Sequence, residues 1–143
     1  MAAILCAMEE LQGQALPCSL SVLFSTQEEL GERGAKIGAY TIAPDIALAV
    51  DVTFGDAGEK VGVCGKGPLI GISPSLSRDV SDALIAAADA AQIPWQPEVM
   101  AGTTGTNADR FAVTRGGVRA GTVSIPLCHM HTPVEKIRTE DVR

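Results

Sequence analysis

The 143-residue sequence predicts an α/β sandwich, with a mixed or parallel sheet covered by helices. Two observations carry this expectation. Apolar runs of strand length, such as "DIALAVDVTF" (45–54) and "RAGTVSIPL" (119–127), alternate with segments whose apolar residues recur at helical spacing. Several of these strands are also continuously apolar, the pattern of strands covered on both faces.

Each element can be read in chain order. Residues 2–12 read as a helix, because Ala2, Ile4, Leu5, Met8 and Leu11 fall on one helical face. "LPCSLSVLFST" (16–26) suits a buried strand through Leu20, Val22, Leu23 and Phe24. "GERGAKIGAY" (31–40) reads as a turn and a short helix, and 45–54 as a strand interrupted by Asp51. Five glycines in the 14 residues of "GDAGEKVGVCGKGP" (55–68) predict a loop. It lacks the spacing and the Lys-Ser/Thr ending of a P-loop. "PLIGISP" (68–74) is a short strand. Ser77 is placed to cap a helix carrying Asp79 in its first turn, with Val80, Leu84, Ala87 and Ala91 on its apolar face.

"PWQPEVM" (94–100) fits an edge strand, since its prolines cannot join a central ladder, and Trp95 is expected to pack it against a helix. "GTTGTNADRFAVTRG" (102–116) is a loop entering a helix. After the strand at 119–127, "CHMHTPVEKI" (128–137) is a loop with both histidines, and "TEDVR" (139–143) is a first helical turn that does not develop. There is no internal repeat.

Composition excludes several classes. With 46% hydrophobic and 20% charged residues the chain is too apolar for disorder. A chain of this length can bury roughly 68% of its unfolded surface. There is no apolar run of 18 residues, so no membrane span is expected. Net charge is -6 with scattered basic residues, which argues against a nucleic-acid partner. The start lacks a basic n-region, so no signal peptide is read and a cytoplasmic location is expected. Cys6, Cys18, Cys64 and Cys128 form no CxxC pair, so reduced thiols are expected, with Cys6 and Cys18 as small buried groups.

Five residues stand out chemically. Glu28 and Glu29 are adjacent where an apolar run stops; a strand exit there would let one carboxylate bind a cation while the other faces bound water. Asp51 lies inside an apolar strand, and a carboxylate buried there needs a cation or several donors. The two histidines, His129 and His131, are two apart between Pro126 and Pro133. An imidazole with two carboxylates suits Zn²⁺, Co²⁺ or Mn²⁺. Solvated glutamate pairs, a surface strand end and a structural histidine remain the bland readings of the same residues.

The stretches "STQEELGERGA", "AVDVTFGD", "GKGPLIGISP", "AGTTGTNAD" and "SIPLCHMHTPVE" occur in an order that resembles the M42 family of metallo-aminopeptidases. That family includes glutamyl and deblocking aminopeptidases and some proteins described as endoglucanases. The resemblance covers nearly the whole chain and corresponds to the C-terminal part of the catalytic domain. It implies a three-layer sandwich with a mixed sheet, as in zinc-dependent exopeptidases. It further implies that Glu28 is the general base, that Glu29 and His131 (rather than His129) bind one metal, and that Asp51 binds a second. Thr103, Thr104, Gly105 and Asn107 would line the substrate cleft.

The departures matter equally. The family's upstream histidine ligand, its bridging aspartate, its N-terminal segment and its inserted dimerisation domain have no counterpart in 1–143. Asn107 stands where relatives usually carry aspartate, His129 where an aromatic is common, and Cys128 where a basic residue is frequent. His129, Cys128 and Asp109 are the candidates to compensate. The expectation is therefore a peptide-hydrolysing domain, incomplete and inactive by itself. It would use Zn²⁺ or Co²⁺ if its site is completed, and no metal otherwise. Its expected partners are copies of itself, in a small oligomer, or a separate N-terminal half. A non-catalytic structural or interaction remnant is the alternative. A glucanase is disfavoured because one Trp, one Tyr and three Phe offer little to stack on sugars.

Overall fold

A computed structural model describes residues 1–55 and 62–142. The predicted loop at 55–68 therefore lies partly outside the described residues. Four helices, α1 (Ala2–Leu11), α2 (Arg33–Ile42), α3 (Arg78–Ala90) and α4 (Ala108–Ala112), accompany five strands. The strands are β1 (Ile46–Phe54), β2 (Leu69–Ile72), β3 (Gln96–Val99), β4 (Arg119–Cys128) and β5 (Lys136–Ile137). They form one mixed sheet in the order β1-β4-β2-β3, with β5 paired to the end of β4. β1 runs parallel to β4 over its full length, β2 parallel to β3, and β2 antiparallel to β4.

Side-chain alternation divides the sheet into two packed faces. Ala47, Ala49 and Ala120 join Ala35 and Ala39 of α2 and Ala108 and Phe111 of α4 in the main core. On the opposite face, Gly121 lies against Leu48 of β1 and Val80 and Leu84 of α3. Helices thus cover both sides, giving the three-layer mixed sandwich the sequence implies. Small residues set this spacing. A methyl group on Gly121 would collide with Val80, and one on Gly38 of α2 would collide with Leu23.

Three expectations are corrected. The stretch 16–26 is not a strand: Leu20 and Phe24 are exposed, and only Leu23 is tucked onto the core. Its apolar pattern is that of a strand, yet among the described residues β1 pairs with β4 alone. Cys6 and Cys18 are exposed: α1 buries none of its residues, and Cys18 sits in the unpaired 16–26 stretch. Ser77 occupies the N-cap position of α3 without capping it. Its hydroxyl instead accepts the Ala120 amide at 3.2 Å, joining the start of the helix to β4.

Other expectations hold. β3 is an edge strand, and Trp95 donates its indole N–H to Asp89 of α3 at 2.8 Å. The 139–141 turn is a single 3-10 turn.

Candidate active site

Glu28 and Glu29 lie not at a strand exit but in a 3-10 turn, Glu28–Leu30. Left-handed Gln27 and Glu32 enclose this turn. His131 follows β4 in a tight turn, where both His129 and His131 are left-handed. Of seven non-glycine residues with positive φ among the described residues, four (Gln27, Glu32, His129 and His131) flank these two turns. Such conformations cost about 1–3 kcal/mol each and persist only where the surroundings impose them. Here the His131 amide donates to Glu135 at 2.7 Å, the Arg33 amide to Gln27 at 3.3 Å, and the Arg110 guanidinium to Glu32 at 2.6 Å.

The two turns meet. His131 Nε2 lies 3.2 Å from Glu29 Oε1, across 102 residues of sequence. Their side chains are 68% and 73% exposed. An ion pair so exposed contributes no more than about 1 kcal/mol, too little to justify the backbone strain around it. The separation fits a different role. Two donors about 2.0–2.2 Å from one tetrahedral Zn²⁺ stand roughly 3.3–3.4 Å apart.

Asp51 is the sixth residue of nine-residue β1, so it lies within the strand rather than at its exit. Burial raises its carboxyl above the ordinary aspartate range. The Val52 amide, donating to it at 2.8 Å, opposes this, and the charges of Glu29 and Glu98 add to it. Glu28 is also raised, first by burial and then by Asp51, Glu29 and Glu32, while His131 acts in the opposite direction. Glu28, Glu29 and Asp51 therefore lie close enough to form one negatively charged region. Such a field favours a cation.

Glu98 was not singled out by the sequence. It is 6% exposed on β3, and Ser124 donates to it at 2.6 Å from the β4 position opposite Asp51. Its strand reads QPEV, half polar and with a proline, so no apolar run drew attention to it.

The remaining candidates divide. Asn107 Nδ2 donates to Ser25 Oγ at 3.0 Å, which ties the 102–107 loop to the chain just before Glu28. The amides of Thr104 and Gly105 are directed inward, to the carboxylate of Asp109 at 2.9–3.0 Å. Asp109 is thereby occupied as the organiser of its own loop, which leaves it a poor substitute ligand. Thr103 is exposed on that loop. His129 lines a separate cavity with Cys64, Cys128 and Lys136. Among the described residues no group of three or more His, Cys, Asp or Glu side chains is gathered to hold a metal ion. Of the candidate donors, Glu29 and His131 are the pair that the fold brings within contact distance.

The mixed sheet between helices resembles the catalytic domain of exopeptidases. A profile of the M42 glutamyl aminopeptidase family matches residues 1–143, and the chain belongs to that family. It is 35% identical over 125 residues to the lysyl aminopeptidase of Pyrococcus furiosus, covering 85% of this chain and 36% of that protein. An aminopeptidase from Desulfurococcus kamchatkensis superposes with a TM-score of 0.76 at 37% identity, over 82% of this chain and 36% of the other. The TET1 peptidase of Pyrococcus horikoshii, which can assemble into a tetrahedron or a large octahedral shell, superposes with a TM-score of 0.68 at 29% identity, over 83% and 36%. The chain thus spans little more than a third of the length of the proteins it matches. No helix among the described residues is long and apolar enough to cross a membrane.

Proposed function

We propose that these residues form one half of an M42-type metal-dependent aminopeptidase site. Glu29 and His131 hold one divalent cation, Zn²⁺ or Co²⁺, and Asp51 contributes to a second. The observation that carries this reading is the 3.2 Å approach of Glu29 to His131 between two strained turns. Bound there, such cations would polarise the scissile carbonyl and acidify a water. Glu28, next to Glu29 and raised by burial, would then serve as the general base for the attacking water and the proton donor to the leaving amine. The substrate is the N-terminal end of a peptide, admitted beside Thr103, Thr104, Gly105 and Asn107.

The missing donors come from polypeptide equivalent to the other two thirds of the relatives, attached or separate. It would seat on the free edge of β1 and on the exposed 16–24 stretch. A cytoplasmic setting accords with this reading. The second reading is a non-catalytic structural or interaction remnant.

Co²⁺ titration of the purified chain, followed by calorimetry and visible absorption, tests the proposal. One weakly held ion per chain is expected. Glu29→Ala and His131→Ala should each lose it, while Glu28→Gln should keep it. In an enzyme completed by the missing polypeptide, Glu28→Gln should lower kcat roughly 10²–10⁴-fold. Cobalt binding indifferent to Glu29 and His131 would sink the metal assignment. Unchanged turnover in Glu28→Gln would sink the base.

A further inference from the structure

A second pair of reactive side chains lies at the end of β4, outside the carboxylate pocket. Cys64 Sγ and Cys128 Sγ are 3.3 Å apart although 64 residues separate them in sequence. Cys128 is the last residue of β4 and is buried, while Cys64 is half-exposed. Local backbone structure holds Cys64 in place from both sides. Its own amide donates to the Gly55 carbonyl at 3.4 Å, and the amides of Gly65 and Gly67 donate to the two oxygens of Asp141 at 2.7 and 2.9 Å. Gln96 clamps Val63 by accepting its amide and donating to its carbonyl, each at 3.0 Å. Gly55 leaves the space the sulfur occupies, since a methyl group there would lie 2.6 Å from it. A cavity of about 500 Å³ opens over the two thiols, lined also by His129, Lys136 and Arg138. An anionic reagent can therefore reach the sulfurs past two cationic side chains.

We propose that Cys64 and Cys128 form a reversible dithiol–disulfide pair that locks the 62–67 loop to the end of β4, immediately before the His129–His131 turn. The oxidant is a small anionic disulfide such as oxidised glutathione. The half-exposed Cys64, as thiolate, attacks one sulfur of that disulfide and expels one small thiol, leaving a mixed disulfide on Cys64. The Cys128 sulfur then attacks Cys64 Sγ, forming the internal S–S bond and expelling the second small thiol. Two electrons pass to the reagent and the two cysteine protons end on the released thiols. The sulfurs need to approach by roughly 1.3 Å to reach the covalent distance. Cys6 and Cys18 are more exposed but lie apart from this pair, so they serve as internal controls. The inference does not depend on the metal reading.

The test is equilibration of the full chain in oxidised and reduced glutathione, acid quenching, alkylation and peptide mapping. The expected result is a monomer 2 Da lighter, with the peptides of Cys64 and Cys128 cross-linked and Cys6 and Cys18 alkylated. Oxidation should raise Tm by roughly 5–10 °C, because a long loop is closed. Cys64→Ser should abolish the mass change. Asp141→Ala, which leaves both cysteines in place, should slow internal closure several-fold by freeing the loop. The proposal is overturned if Cys64 and Cys128 both remain alkylatable while Cys6 or Cys18 oxidises. It is equally overturned if Cys64 stops at the mixed disulfide. If Cys128→Ser fails to fold, Cys64→Ser and the wild-type peptide map still decide the question.

Discussion

Asp51 shows how a single residue serves two purposes that conflict. A carboxylate half-buried in β1, with Glu29 and Glu98 nearby, has its folded-state value raised above the ordinary 3.8. Without a cation, the stability tied to its protonated form is complete below that ordinary value and is lost as pH rises through the raised one. Asp51→Asn removes the charge but keeps an oxygen for the Val52 amide. In chelator the variant should therefore melt above the wild type at pH 7, with the gap closing toward pH 3.5. Thermal scans across that range give the answer, and equal melting at pH 7 would refute the burial argument. Excess Co²⁺ should stabilise the wild type more than the variant.

Among the elements, two junctions hold the sheet and the loops in register. Asp109, in the first turn of α4, accepts the Thr104 and Gly105 amides and the Thr104 hydroxyl. Asp109→Ala should cost about 2 kcal/mol in urea unfolding. Asp109→Asn should cost nearly as much, because its amide group would turn a donor toward donors. A large difference between the two would mean that the loop is held by something else. The second junction is Gly71 of β2, where a methyl group would collide with Thr122 of β4. Gly71→Ala should destabilise by about 1–3 kcal/mol, read by the same unfolding curves.

The whole molecule carries an imbalance between its two edges. On one side β3 is short and proline-containing, a blunted edge. On the other, among the described residues, nine-residue β1 ends the sheet with Ile46, Leu48 and Phe54 exposed, and Leu20 and Phe24 are exposed as well. A long apolar edge of that kind is a template for association. Sedimentation velocity at micromolar concentration should show species heavier than the monomer, and Leu20→Lys with Phe24→Lys should shift them toward it. A strictly monomeric wild type would remove this argument for a covering partner.

The local pattern of the sequence determined most elements and the candidate residues themselves. Helical and strand periods depend on near neighbours, so α2, α3, β1, β3 and β4 were legible. So was Asp51, since a charge inside an apolar run is visible without a fold. Glu98 lies in the half-polar strand QPEV and carries no such signal; only the β3-β2-β4 order brings it to Ser124. The 16–26 stretch has a strand's composition and no strand, because a strand exists only where another offers its backbone groups. Cys6 is exposed for a parallel reason: an apolar helix face is buried only when something lies against it. The pairing of Glu29 with His131 was implied by family likeness, whereas their 3.2 Å approach and the left-handed turns behind it belong to tertiary structure. So does the meeting of Cys64 with Cys128. Contacts across 102 and 64 residues leave no trace in local periodicity; the parallel pairing of β1 with β4, which sets Phe54 opposite Leu127, carries the chain after β1 toward Cys128.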